Sequence, residues 1–126
     1  MANFSTLPVY KRALDLDVQF AASTKKAPHD VKYGYINDIH NRILQLITDI
    51  AFANDYETER ITWIKEAQES LRGIKIRVRI LLDRKNITKK GFAAIIRAEE
   101  SVARQLSGWY SAESSKNSNN NIIPGL

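Results

Sequence analysis

The sequence predicts an all-α protein, built as an antiparallel up-down four-helix bundle. Five Gly and three Pro among 126 residues leave few turn formers, and no alternation of apolar and polar residues persists over a strand length. Four amphipathic segments of similar length follow one another with short connections, which favours antiparallel neighbours. A chain of this length forms one domain, which we place at residues 1–113.

The first helix is predicted over residues 7–25. Thr6 is its candidate cap, and Pro8 lies in the first turn, where a missing N–H costs nothing. Its apolar row consists of Val9, Ala13, Leu16 and Phe20. The second helix is predicted to open at Pro28 and to end at Asn54-Asp55. Its apolar residues recur at steps of three and four positions: Ile36, Ile39, Ile43, Leu46 and Ile50.

Thr58 is the predicted cap of the third helix, and Asn86 is expected to end it. The apolar row of this helix is Ile64, Ala67, Leu71, Ile74, Val78 and Leu81. Thr88 is predicted to cap the fourth helix, whose apolar residues are Phe92, Ile95, Val102, Leu106 and Trp109. From Ser114 the chain becomes rich in Ser and Asn, and we expect residues 114–126 to be a disordered tail.

Cysteine is absent from the chain, which excludes disulfides and thiolate metal sites and fits a reducing cytosol. The N-terminus lacks a basic start followed by an apolar run, so we expect no signal peptide. No apolar run reaches the roughly 18 residues that cross a bilayer. The sequence therefore predicts a soluble, cytoplasmic protein.

Positive charge is concentrated in residues 71–90. Eight bases and one acid give this stretch a net charge of +7, against +5 for the whole chain, so the other residues sum to −2. The helix dipole favours bases only in the last turn, and this cluster begins further in. We interpret it as a backbone-directed, salt-dependent surface for RNA or DNA. The candidate nucleic-acid and partner-binding residues are Arg72, Lys75, Arg77, Arg79, Arg84, Lys85, Lys89 and Lys90.

The third helix also has a second apolar face. At about 100° per residue, Ile76 and Ile80 lie opposite the predicted core row, between two rows of arginine. Single exposed apolar residues are normal, but a pair bracketed by arginine stems favours a contact with a second chain. We therefore predict a homo-oligomer with Ile76 and Ile80 in its interface.

Candidate catalytic and metal-binding groups are few. Asp17 and Glu99 fall on or near apolar rows, but metal sites in helical bundles also need Glu-x-x-His pairs, and neither histidine follows a Glu by three residues. A buried carboxylate paired with a base such as Arg42 or Lys75 is the simpler interpretation. Phosphate loops, nucleophile elbows and zinc spacings are missing from the sequence. We expect a non-enzyme that holds neither metal nor cofactor.

Gly73 and Gly108 fall inside the third and fourth predicted helices. Glycine there costs about 1 kcal/mol relative to alanine. We expect close approach of a neighbouring helix to explain both positions.

The opening of the chain resembles a family of small four-helix bundles first identified in 23S ribosomal RNA intervening sequences. The residues that carry the resemblance are LPVYKRALDL at 7–16 and TKKAPHDVKYGYINDI at 24–39. In the intervening-sequence branch, the second helix typically contains a proline and ends in an Asn-Ile-Ala-Glu-Gly-like run. The corresponding LQLITDIAFAND at 44–55 has neither.

The other branch is the accessory variability determinant protein of diversity-generating retroelements. Its third helix is typically basic, and its fourth ends in Leu-Gly/Ser-Gly/Ser-Trp. The chain resembles it in RGIKIRVRILLDRKNIT at 72–88 and in Leu106, Ser107, Gly108 and Trp109. The whole resemblance covers roughly residues 7–112.

Membership in this branch would imply a homopentameric barrel of four-helix bundles. Such a barrel would bind a dedicated reverse transcriptase and its template RNA, and it would support the error-prone cDNA synthesis that diversifies a target gene. The basic residues of the third helix would then contact RNA, cDNA or the polymerase. The alternative is an intervening-sequence-type oligomeric scaffold without a specific nucleic-acid role, in which the basic rows serve only subunit contacts.

Overall fold

The computed structural model describes residues 3–121, and every regular element in that range is helical. The four long helices are α1 (Pro8–Thr24), α3 (Asn37–Asp55), α4 (Arg60–Asp83) and α5 (Lys89–Asn121). A short α2 (His29–Val31) continues into α3 through a π-helical turn at Lys32–Ile36. Two 3₁₀ turns are present, at Phe4–Thr6 and Glu57–Glu59. The predicted all-α class with four main helices is confirmed.

The predicted helix caps differ in their outcomes. Thr6 and Thr58 do not cap a helix, because each lies in a 3₁₀ turn and the N-cap position falls on a later residue. Thr88 does cap α5, since its Oγ1 accepts a hydrogen bond from the backbone N–H of Gly91 at 3.0 Å. That bond satisfies one of the N–H groups that a helix start leaves unpaired.

Helix α5 continues past the predicted domain boundary at residue 113. The tail expected to be disordered over residues 114–126 is helical as far as Asn121, and residues 122–126 lie outside the described part of the chain. Ser and Asn are poor helix formers but do not break a helix, and extending an existing helix costs far less than starting one. No proline occurs between Pro28 and Pro124.

Contacts between helices show their relative directions. The Nε of Arg77 donates to Oδ2 of Asp38 at 3.3 Å, and the hydroxyl of Ser70 donates to Oδ2 of Asp49 at 3.2 Å. Residue numbers therefore rise along α3 as they fall along α4. The hydroxyl of Ser23, near the end of α1, donates to the carbonyl of a residue in the first turn of α5 at 3.3 Å.

The predicted apolar rows form one hydrophobic core. All their members are buried except Ile36, Phe92 and Trp109, which pack at its edge. Burying a Leu or Ile side chain contributes about 1.5–3 kcal/mol, so these rows supply the main driving force for folding. None of the described helices combines the length and hydropathy that crossing a bilayer requires.

Close approach of a neighbouring helix was predicted to explain Gly73 and Gly108, but the structure shows it at Gly91 instead. A Cβ added to Gly108 would meet nothing within 4 Å, and one added to Gly73 would meet only the flexible ends of arginine side chains. At Gly91, by contrast, an added Cβ would lie 3.1 Å from Cβ of Ser23. The first turn of α5 and the last turn of α1 are therefore in tight contact.

Candidate nucleic-acid interface

The structure divides the eight predicted binding residues into two groups. The first group, called here the α4 face, comprises Arg72, Lys75, Arg77 and Arg79. The second follows the end of α4 and comprises Arg84, Lys85, Lys89 and Lys90. All eight are exposed except Arg77, which is half-buried. The inner side of α4 packs on α3 and α5. The binding role assigned to the eight residues stays a prediction.

The arginines of the α4 face already have anionic partners. Each forms an ion pair within the chain: Arg72 with Glu69 at 3.0 Å, Arg77 with Asp38 at 3.3 Å, and Arg79 with Asp83 at 3.1 Å. Exposed pairs of this kind contribute at most about 1 kcal/mol, so a phosphate could displace the carboxylates. Asp38 lies outside the basic cluster in the sequence, and α3 brings it to α4 only in the folded protein. The net charge of residues 71–90 therefore does not include this partner.

A cavity of about 650 Å³ lies where the loop after α1 meets the loop between α4 and α5. The lysines that line it are Lys25, Lys26, Lys85 and Lys90. None of the ion pairs among residues 3–121 involves a lysine. We call the cavity lined by these four residues the lysine cavity. Lys25 and Lys26 were not among the predicted binding residues, because they are 59 or more positions away from Lys85 in sequence.

The backbone at the end of α4 is strained at one of these lysines. Lys85 has a φ of 62°, in the left-handed region. Its N–H donates to the carbonyl of Leu82 at 2.9 Å, and the N–H of Asn86 donates to the carbonyl of Leu81 at 2.8 Å. This is a Schellman ending, in which the left-handed residue is usually glycine. A lysine there costs about 1–2 kcal/mol.

Charge is strongly polarised along the molecule. Residues 21–36 and 80–94, which meet at the lysine cavity, contain seven bases and two acids. Their net charge of +5 equals that of the whole chain, so the remaining residues are neutral in sum. The guanidinium of Arg84 lies 4.8 Å from the ring centroid of Tyr35 and fixes the turn before α3 to this end. The folded protein thus has one basic end.

The predicted second apolar face is exposed. Ile76 and Ile80 retain 54% and 40% of their accessible surface. Apolar side chains within a core retain much less of theirs. The subunit contact assigned to them stays a prediction. Three further exposed aliphatic residues, Leu14 and Val18 on α1 and Leu44 on α3, were not identified from the sequence. At about 100° per residue they lie on the outer side of their helices, away from the core rows.

Glu99 is buried beside the α4 face. It is 5% exposed, and its Oε2 has no hydrogen-bond partner among the described residues. Burial raises the pKa of its carboxyl, and the nearby charge of Lys75 partly opposes that rise. The predicted pairing of a buried carboxylate with Lys75 is therefore electrostatic and leaves one oxygen unpaired. No ion pair within 4.0 Å joins the two residues.

The second buried carboxylate was not predicted. Asp49 is 2% exposed and accepts hydrogen bonds from Nε2 of Gln45 at 2.9 Å and from the hydroxyl of Ser70 at 3.2 Å. Burial raises its pKa as well. Asp17, by contrast, is half-buried, and one of its carboxylate oxygens lies 3.2 Å from Nδ1 of His40. Among residues 3–121, no three His, Asp or Glu side chains gather as a metal site would require.

Neither a scan of protein-family models nor a search of curated proteins finds a match to this chain. Its function must be argued from the α4 face, the lysine cavity and the exposed isoleucines.

Proposed function

We propose that this protein is a non-catalytic, nucleic-acid-binding accessory subunit of a reverse transcriptase, of the accessory variability determinant kind found in diversity-generating retroelements. The observation that carries the nucleic-acid role is the basic end of the molecule, whose net charge of +5 equals that of the whole chain. A surface of one sign attracts a polyanion and releases its counterions. The reverse transcriptase partner follows from the resemblance over residues 7–112.

The proposed architecture is an antiparallel up-down four-helix bundle. Supporting contacts are those of Asp38 with Arg77, of Asp49 with Ser70 and of Ser23 with Gly91. The bundle assembles as a homo-oligomer, a pentamer by resemblance, with Ile76 and Ile80 in the interface. Such a ring repeats the basic end around its axis. Repetition raises the avidity for a long strand, because each later contact is intramolecular.

RNA binding tests the nucleic-acid role. The purified protein should bind a single-stranded RNA with an affinity that falls steeply on a log–log plot against salt, by about 0.7 per phosphate neutralised. Lys85→Glu/Lys90→Glu should abolish binding and flatten the slope. The matched control is Lys11→Glu/Arg97→Glu, which makes the same charge change at exposed positions outside both groups. Equal losses in the two variants would show only a response to net charge.

The partner is tested separately, by asking whether a reverse transcriptase co-purifies with the tagged protein. Reversal of Arg72 and Arg79 to Glu should remove that association while helicity is retained, because both arginines pair only within α4. Association that survives the reversal would place the polymerase elsewhere on the molecule.

A second candidate function is an intervening-sequence-type oligomeric scaffold without a specific nucleic-acid role. The ion pairs of Arg72, Arg77 and Arg79 favour it, because they balance the charge of the α4 face within the chain. If the protein is such a scaffold, it should assemble into its oligomer without RNA. It should also bind RNA no more tightly than an unrelated basic protein does. The same RNA titration separates the two functions.

A further inference from the structure

We infer that the lysine cavity is a binding site for a phosphate group. The inference deepens the proposed function and rests on it only for the source of the phosphate, a nucleic-acid strand. The site itself is argued from the side chains that line the cavity between the loop after α1 and the start of α5.

The positive charge of the lysine cavity is uncompensated. Lys25 and Lys26 lie in the loop after α1, Lys85 in the loop between α4 and α5, and Lys90 in the first turn of α5. The fold thus brings together residues distant in sequence. No acidic residue lines the cavity, and none of the lysines has an ion pair among residues 3–121. Four ammonium groups around one concave surface repel one another, and a bound anion would relieve that repulsion.

Asn86 adds a buried hydrogen-bond donor to the lysine cavity. The side-chain Nδ2 of Asn86 is fully buried and has no hydrogen-bond partner among the described residues, and Asn86 lines the same cavity. A buried donor left unpaired costs about 1–3 kcal/mol, so such groups are rare in folded proteins. A phosphate oxygen is an acceptor that would satisfy it once the amide turns toward the cavity. Lysine charge and an amide donor together match phosphate chemistry.

The walls of the lysine cavity are held in place by contacts on two sides. Gly91 allows α5 to approach Ser23 so closely that an added Cβ would lie 3.1 Å from Cβ of Ser23. On the other side, the backbone of Asn86 is fixed by its bond to the carbonyl of Leu81 at 2.8 Å. A rigid wall reduces the entropy that ligand binding must otherwise offset. The volume of about 650 Å³ accommodates a phosphodiester with its flanking sugar.

The site is tested with inorganic pyrophosphate and the full chain, at constant ionic strength. The side-chain NH₂ signals of Asn86 in a ¹⁵N–¹H spectrum should shift saturably, because the buried amide gains an acceptor. Lys25→Gln/Lys85→Gln should raise the Kd for pyrophosphate about tenfold or more. Lys11→Gln/Lys65→Gln, at exposed positions outside the cavity, should leave it unchanged. Circular dichroism verifies that both variants stay helical.

A second titration with single-stranded RNA of about 12 nucleotides distinguishes the sources of the phosphate. Weaker RNA binding by Lys25→Gln/Lys85→Gln, but not by the control, assigns the site to a nucleic-acid strand. Unchanged RNA binding with lost pyrophosphate binding assigns it to a free phosphate compound. Pyrophosphate binding without any RNA binding would end the proposed function and leave the site standing. Absence of a saturable Asn86 shift, or equal loss in both variants, would overturn the site whatever the RNA does.

Discussion

The Nε of Arg77 donates to Oδ2 of Asp38 at 3.3 Å and so joins the middle of α4 to the beginning of α3. Arg77 also donates from Nη1 to the carbonyl of Gly73 at 3.1 Å. The ion pairs of Arg72 and Arg79 stay within α4. Arg77 therefore connects two helices. Arg72 and Arg79 can exchange their carboxylate partners for an external one without breaking a contact between helices.

We expect Arg77→Ala to lower the free energy of unfolding by about 1 kcal/mol, because it removes a half-buried side chain and its bond between helices. Arg79→Ala, which breaks only an exposed pair within a helix, should change that free energy by less than about 0.5 kcal/mol. Urea denaturation followed by circular dichroism measures both. Indistinguishable midpoints for the two variants would contradict a tertiary role for Arg77.

Replacing the buried Glu99 should stabilise the protein at neutral pH. Burial raises its pKa above the ordinary value of 4.5, so the folded state holds this proton more tightly than the unfolded state does. Stability is therefore lost as the pH rises from that value through the raised pKa, and the loss is complete above it. Glu99→Gln removes this penalty and should gain about 1 kcal/mol near pH 7.

The gain from Glu99→Gln should vanish under acidic conditions, where the wild-type carboxyl is protonated in both states. Thermal unfolding across a pH series measures the difference, and Glu100→Gln, at an exposed position, is the control. A gain that does not change with pH would show that packing, rather than charge, causes it.

The isoleucine pair can be tested by assembly. Ile76→Asp should dissociate the proposed oligomer, because it places a carboxylate in a desolvated contact. Val18→Asp is the matched control, since Val18 is a similarly exposed aliphatic residue, at 60%, on α1. Native mass spectrometry gives the subunit number. If only Val18→Asp dissociates the oligomer, the interface lies on α1. If the wild type is a monomer, the isoleucine pair forms no subunit interface.

Two glycines should respond oppositely to alanine. At Gly108 an added Cβ meets nothing within 4 Å, so Gly108→Ala should raise stability by about 1 kcal/mol through helix propensity alone. At Gly91 the Cβ would lie 3.1 Å from Cβ of Ser23, and the clash should make Gly91→Ala destabilising by about 1–3 kcal/mol. Thermal unfolding checks both. Stabilisation by Gly91→Ala would mean that α1 can move away freely.

The strained lysine should show a trade between stability and binding. Lys85→Gly relieves the left-handed backbone and should raise the free energy of unfolding by about 1 kcal/mol. The same variant should weaken binding of RNA and pyrophosphate, because it removes one charge from the cavity. Lys85→Gln separates the two effects, since it removes the charge and keeps the strain. Equal stability of Lys85→Gly and Lys85→Gln would contradict the strain.

Local patterns in the sequence were sufficient for the helices and their buried faces. Steps of three and four residues identified the core row of α4, from Ile64 to Leu81, because a helix repeats its faces every few residues. The cap at Thr88 was equally local. Failures occurred where local signals compete: the 3₁₀ turns displaced the caps at Thr6 and Thr58, and α5 continued through polar residues without a breaker.

Helix periodicity and net charge are properties of neighbouring residues, so local sequence predicts an all-α chain with a basic cluster after Leu71. Which of those charges are free depends on how the helices pack. Packing of α3 on α4 supplied Asp38 to Arg77. The meeting of the loop after α1 with the α4–α5 loop and the start of α5 placed Lys25 and Lys26 beside Lys85 and Lys90, and no acidic residue lines their cavity. Electrostatic interaction depends on distance through space, and distance along the chain does not reveal it.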